Sequence, residues 1–301
     1  MPPVAPSEPK PAELPLVPGR TDATVRVHPL LTGTAAWPEA WPHRADGPLA
    51  ALRAIGVGSP TVPIPLPSFL VEHPSAGPIL IDTGLDPAVA EGKKESFGRL
   101  AANTTARSFR LERAQAATEQ LRARGVDPAD VQYVLMTHLH LDHASGMRQF
   151  PHATFVMSRP EWDSFHAARA FTRGYVSGHL PDDGHYRTLD FEGDRAGSLG
   201  AFGRTLDLLG DGSVVAASTP GHTAGHLSVV LRTEAGEVVV AGDAVYTRHA
   251  LATGHVPYLM YSRPLFERSL HELQRHAEAN PDALIIPGHD MAAWQDLEAV
   301  Y

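Results

Sequence analysis

No cysteine occurs among the 301 residues, so disulfides and thiolate metal ligands are both excluded. No apolar run approaches the ~20 residues that span a bilayer, so no membrane partner is expected. Basic residues are in the minority: 25 Lys and Arg stand against 34 Asp and Glu, a formal charge of −9. Broad binding to nucleic acid or to an anionic membrane needs basic patches, and no Lys/Arg cluster offers a local groove for RNA. The first residues lack a basic stretch followed by an apolar one, which predicts no secretory signal and a cytoplasmic location. No internal repeat divides the chain, and its length suits one large domain.

Residues 1–24 are rich in proline and contain no aromatic side chain. Proline fixes φ and removes a backbone donor, so this stretch is expected to be extended or disordered, a solvated tail ahead of a single domain over 25–301. Thr24–Leu30 then alternates like a strand, and a loop carrying Trp37 and Trp41 follows. Residues 118–125 read as the end of a helix stopped by Gly125. Three consecutive antiparallel strands are expected around Val214–Val215, Leu227–Leu231 and Glu237–Val240, and Phe266–Leu273 reads as an amphipathic helix. The segment 158–210 is the least regular; beyond a helical stretch at 161–169 it reads as loop, and it is expected to line a substrate mouth.

What is abundant is histidine, and its placement is the main signal. Thr137-His138-Leu139-His140-Leu141-Asp142-His143 follows the apolar run Val131–Met136, which reads as a buried strand. The spacing is too short for one helix face, but a loop at a strand end can fan four such side chains around one point. Imidazole and carboxylate are ligands that a borderline divalent ion such as zinc accepts. Three later stretches repeat the theme: Pro220-Gly221-His222, Gly242-Asp243 after Val238–Val240, and Pro287-Gly288-His289 after Leu284–Ile286. Upstream, Ile79-Leu80-Ile81-Asp82-Thr83-Gly84 has the same form of apolar strand, acid, then glycine. Glycine at such places lets the backbone come close to a ligand or take positive φ.

In motif content and order the chain resembles the metallo-β-lactamase superfamily of hydrolases, from about Arg26 to the C-terminus. The resemblance implies an α/β (α+β) fold, a four-layer αββα sandwich with a two-metal site at the sheet edges. It implies that His138, His140 and His222 hold a first ion, that Asp142, His143 and His289 hold a second, and that Asp243 bridges them. Asp82 would orient ligands from behind. Zinc is the expected metal, and cobalt, iron or manganese suit the same donors.

Within that superfamily the chain is similar to the N-acyl-homoserine lactone lactonases, the quorum-quenching branch. The hairpin Phe69–Pro74 followed by Ile79–Gly84 carries this, with Asp243-Ala244-Val245-Tyr246, which sets a tyrosine three residues after the bridging acid. Leu141 stands where an aromatic residue is common, and Ala144-Ser145-Gly146 replaces a more usual Ala-Gly-Gly. The implied reaction is lactone opening. Two ions about 3.5 Å apart share and ionise a bridging water near neutral pH, and the hydroxide attacks an ester-type carbonyl. Tyr246 donates a hydrogen bond to the developing oxyanion, and Asp142 passes a proton to the leaving alkoxide. Other reactions of the superfamily, on phosphotriesters, phosphodiesters or thioesters, are the alternative, as is a non-catalytic degenerate member. Homodimers are common in this branch; the Trp37–Trp41 loop is a candidate interface or a cover for the substrate pocket. His226 is expected to be structural or to support a ligand, His179 and His185 to be surface or packing groups, and His249 and His255 to lie near the pocket.

Overall fold

The strand Leu227–Thr233 (β11) shows how alternation builds this molecule. Leu227, Val229 and Leu231 point into one buried apolar cluster and Val230 into another, as the two-residue period of a strand requires. The same alternation runs through Gly236–Gly242 (β12), where Val238 and Val240 face the first cluster and Val239 and Ala241 the second. The two strands pair antiparallel, with Val229 opposite Val240.

The computed structural model describes residues 8–42, 47–93, 97 and 105–301. Two sheets face each other. One has seven strands in the order β1-β7-β6-β5-β4-β3-β2, namely Lys10–Pro11 (β1), Arg26–Pro38 (β2), Thr61–His73 (β3), Gly77–Ile81 (β4), Tyr133–Leu135 (β5), Thr154–Ser158 (β6) and His185–Leu189 (β7). The other has six in the order β13-β12-β11-β10-β9-β8, adding Gly197–Leu199 (β8), Phe202–Asp207 (β9), Val214–Ser218 (β10) and Leu284–Pro287 (β13). Between them lies a core that includes Val27, Phe69, Ile81, Val156, Val229 and Ile286. A second cluster packs helical residues such as Leu121 and Trp162 on the outer face of the first sheet. A third seats Phe266, Leu270 and Leu273 of the helix Arg263–Ala279 on the outer face of the second. The result is the expected order of helix, sheet, sheet, helix. Among the described residues no helix is long and apolar enough to cross a membrane.

Two expectations are corrected. Residues 8–24 are docked rather than solvated; residues 1–7 lie outside the described residues. Lys10 and Pro11 pair parallel to β7. Beyond them Leu14, Leu16 and Val17 pack against the inter-sheet core. Leu16 also donates its backbone N–H to Leu208 and accepts from the Tyr133 hydroxyl. Proline content predicted the extended backbone, but the leucines decide where it goes, because they cover apolar surface the sandwich leaves open. The segment 158–210 is also more regular than composition suggests: it supplies β7 to one sheet and β8 and β9 to the other. Its strands are short, and His185 and Gly197 at their starts are exposed, which hid the alternation.

Candidate metal centre

The ligand candidates converge because five strands end at the same edge. β4 and β5 run parallel in one sheet; in the other β12 and β13 run parallel, and β10, antiparallel to β11 as β12 is, ends beside them ahead of His222. After β4 comes Asp82, a non-glycine residue at φ 55. Such a conformation is unfavourable for a residue with a Cβ, and three hydrogen bonds hold it. One Asp82 oxygen accepts the Thr137 N–H at 2.8 Å; the other accepts the Thr137 hydroxyl at 2.7 Å and His143 Nδ1–H at 2.8 Å. After β5 the motif divides. His138 and His140 lie in extended chain, and His140 leads into the short helix Leu141–Ala144, whose first turn carries Asp142 and His143. A pure loop was expected; the helical turn instead brings Asp142 and His143 round beside the histidines that precede them.

At the end of β12, Gly242 sits at φ +54, where a Cβ would come within 2.8 Å of His226 Nε2. That close approach lets the next backbone N–H, of Asp243, donate to the same nitrogen at 2.9 Å. His226 therefore supports Asp243 from behind, while its Nδ1 lies 3.0 Å from the Thr219 hydroxyl. After β13, the His289 N–H donates to the Tyr246 carbonyl at 2.9 Å, tying the last two segments together.

All seven predicted ligands meet. Their donor atoms form three groups within 4.8 Å: His138, His140 and His222; His138, His143 and Asp243; Asp142, His143 and His289. His222 Nε2 lies 2.8 Å from His140 Nδ1 and 3.2 Å from Asp243 Oδ2. Asp243 Oδ1 lies 3.2 Å from His289 Nε2 and 3.5 Å from His143 Nε2. Four of the five imidazoles are also fixed on their outer side: His138 Nδ1 by the Thr137 hydroxyl, His143 Nδ1 by Asp82, His222 Nδ1 by the Tyr246 hydroxyl and His289 Nδ1 by the Pro65 carbonyl. Engaging one ring nitrogen sets the tautomer and aims the other, the arrangement that orients metal ligands.

The donors fit a cation. His138 Nε2, Asp142 Oδ2, His143 Nε2 and Asp243 Oδ1 are buried and make no hydrogen bond. A buried polar atom left unpaired costs roughly 1–3 kcal/mol, and four of them converging is the pattern a bound ion resolves. Burial pushes His138 and His222 well below the ordinary histidine range, and His140 down to about 4. These three are neutral, the form that ligates. Burial also opposes charge on His143, yet Asp142, Asp82 and Asp243 hold it well above that range. Burial works to neutralise Asp243 but is outweighed by His289, His222 and His143, which keep it a carboxylate. Tyr246 is pushed up by burial and by Asp243, so its hydroxyl stays protonated.

A cavity of about 1020 Å³ opens on this cluster. His140, Asp142, His222, Asp243 and Tyr246 reach its floor, and Trp37, Trp41 and Leu141 stand beside them. Trp37, expected in a loop, lies near the end of β2; it is edge-on to His289 at 4.9 Å and against Trp41 at 5.1 Å, so both rings face inward. As expected, the segment after Ser158 lines the mouth, through Phe171, Tyr175 and Val176. His179 is buried against Phe97, and His185 is exposed. His249 and His255 lie 6.3 Å apart and are not among the lining residues.

A family model, the Metallo-beta-lactamase superfamily, matches residues 62–289. The chain belongs to this superfamily. Among its relatives is the N-acyl homoserine lactonase AttM of Agrobacterium fabrum (strain C58 / ATCC 33970), 34% identical over 241 residues, which are 78% of this chain and 85% of that protein. The N-acyl homoserine lactonase AiiA of Bacillus thuringiensis subsp. kurstaki is 26% identical, over 76% of this chain and 82% of its own. A solved N-acyl homoserine lactone hydrolase, with the product N-hexanoyl-L-homoserine at its catalytic metal centre, superposes with a TM-score of 0.73 at 21% identity, covering 92% of this chain and 98% of that one. That likeness shows a shared fold.

One buried acid beside the cluster carries no motif of its own. Glu161 accepts four hydrogen bonds there. Ser158-Arg159-Pro160-Glu161 reads as an ordinary helix capping box, in which the glutamate turns back to the cap. Ser158 does cap, accepting the Glu161 N–H at 3.2 Å, but the carboxylate turns inward. No local signal distinguishes the two cases.

Proposed function

We propose that this superfamily member is a dinuclear metal-dependent lactonase that opens N-acyl-homoserine lactones. The observation that carries the reading is the cavity. Its floor holds imidazoles, carboxylates and one tyrosine hydroxyl, and much of its wall is apolar, which suits a small polar ring bearing an acyl tail. The relatives named as lactonases support the same substrate class.

In this proposal His138, His140 and His222 hold one ion and Asp142, His143 and His289 the other. Asp243 would bridge them: its Oδ2 lies 3.2 Å from His222 Nε2, its Oδ1 3.5 Å from His143 Nε2, and His289 Nε2 is 3.2 Å from both oxygens. Zinc is the proposed metal, on the grounds of the nitrogen and oxygen donors. Two such ions supply Lewis acidity and a water ionised near neutral pH. The residues do the rest. With its Nε2 given to an ion, His222 would donate Nδ1–H to the Tyr246 oxygen 2.9 Å away, which leaves the Tyr246 proton to meet the developing oxyanion in the cavity. Asp142, on the same floor, would take the proton that the attacking water gives up and return it to the leaving alkoxide, so that the ring opens to a carboxylic acid and an alcohol. We also keep a single domain, expected over 25–301, and add to it the docked segment 8–24. A homodimer is retained, with its surface moved: Trp37 and Trp41 turn inward, whereas Leu49, Leu52, Ile55 and Val57 are exposed together. Sedimentation equilibrium tests that assignment.

The functional test is proton release by zinc- or cobalt-loaded protein on short and long acyl-homoserine lactones, a simple γ-lactone, a thioester and a phosphotriester. Ring opening abolished by chelator is the expected result. Silence on lactones with turnover of the thioester or phosphotriester overturns the substrate and keeps the metal site.

A further inference from the structure

Glu161 is fully buried, at 0% exposure, in the first turn of the helix Arg159–His166. Four donors converge on it. One carboxylate oxygen accepts the Leu139 backbone N–H at 2.9 Å and the Tyr175 hydroxyl at 3.0 Å. The other accepts the Thr223 hydroxyl at 2.6 Å and the Gly225 backbone N–H at 3.2 Å. Two bonds to each oxygen use the full accepting capacity of a carboxylate. Burial raises the pKa of this carboxyl above the ordinary range, and the same four donors oppose that shift, since a carboxyl proton would displace one of them.

The donors are the segments that carry ligand residues. Leu139 stands between His138 and His140, and Thr223 directly follows His222. Tyr175 pairs with His140 through an isolated bridge, and its ring lies 5.1 Å from that imidazole. Glu161 thus grips both loops assigned to the first ion, together with the wall of the cavity beside it. Its bonds do not reach Asp142, His143 or His289. On that side Asp82 holds His143 directly, and Thr137 next to His138.

We propose that Glu161 is a positioning residue that sets the geometry of the first metal site and fastens the Tyr175 wall of the cavity to it. The proposal rests on the ligand assignment above. Glutamine in its place keeps the shape but turns an amide NH2 toward one pair of donors. A hydroxyl can rotate to accept from it, but a backbone N–H cannot. Either Leu139 or Gly225 is then left with a buried, unmatched N–H whichever way the amide lies.

The test reads metal affinity without substrate, by titrating metal-free protein with Co²⁺ against a competing chelator. It uses two single-site backgrounds, His143→Ala to leave the first site and His222→Ala to leave the second. In the His143→Ala background Glu161→Gln is expected to weaken binding about 10–100-fold, the scale of a lost supporting partner. In the His222→Ala background it is expected to change nothing. Equal loss in both backgrounds, or no loss in the first, overturns the proposal. Should Glu161→Gln fail to fold, Thr223→Val removes one donor only, and unchanged first-site affinity in that variant overturns it as well. If either background variant still binds two ions, the ligand assignment has failed, not the role of Glu161. Failure to open lactones leaves this test untouched.

Discussion

Replacing Tyr246 with phenylalanine removes a single oxygen that serves two partners. Tyr246 is buried, and its hydroxyl lies 2.9 Å from His222 Nδ1. With His222 Nε2 given to an ion, Nδ1 carries the proton and the tyrosine oxygen accepts it. A hydroxyl has one proton to give, so that of Tyr246 points elsewhere, into the cavity. Tyr246→Phe therefore loses a donor to the developing oxyanion, about 2.7–4 kcal/mol or 10²–10³-fold in kcat. It also leaves the His222 N–H without its acceptor, roughly 1–3 kcal/mol, which weakens the imidazole as a ligand by about 5- to 140-fold. The two effects separate experimentally. Metal titration of the variant reads the second. Turnover of an acyl-homoserine lactone at saturating ion reads the first, because occupancy is then restored. The expected result is a loss of about a hundredfold or more in kcat that added metal does not recover. Wild-type kcat at saturating metal refutes the oxyanion role and leaves Tyr246 as a support for His222 alone.

Asp243→Asn should reduce the bound metal from two ions per chain to one or fewer, by elemental analysis, and abolish most activity, since the variant lacks one of the two charged oxygens that face the histidines. Acidification should release the second ion before the first. His143 is held above the ordinary histidine range, so a proton competes for it even near neutral pH, and affinity falls as pH drops through that raised value. His140 resists protonation down to about 4, so the first site keeps its ligands to lower pH; a metal-retention profile against pH checks the order. Gly174→Ala should disturb the cavity wall, because the residue sits at φ +93 and a Cβ would lie 3.0 Å from the His140 ring. The expected outcome is a raised KM for lactones and a lower first-ion affinity, with the fold intact by circular dichroism.

Much of the fold and of the metal centre is legible along the chain. The strand preceding His138, the strands preceding Asp243 and His289, and the antiparallel run β10 to β12 follow from local alternation and from β-branched residues. The seven candidate ligands follow from residue type and spacing after those strands. Glu161 is not legible in this way. Its partners at Leu139, Thr223 and Gly225 lie 22, 62 and 64 residues away, and its local sequence mimics a routine helix cap. The docking of residues 8–24 is hidden for a similar reason: Leu14, Leu16 and Val17 become informative only beside a sandwich that needs covering. The inward turn of Trp37 likewise depends on His289, far along the chain.

The amino-acid sequence by itself determined which side chains can ligate a divalent ion and that each follows a strand, because both depend on residue chemistry and on neighbours a few positions away. Only the tertiary structure decided which nitrogen of each histidine faces inward, that Asp243 lies within 3.5 Å of His143, His222 and His289, and that Glu161 bonds the segments beside His138, His140 and His222. Those outcomes depend on the register and relative placement of two sheets whose strand ends meet in space, and no local pattern along the chain encodes that meeting.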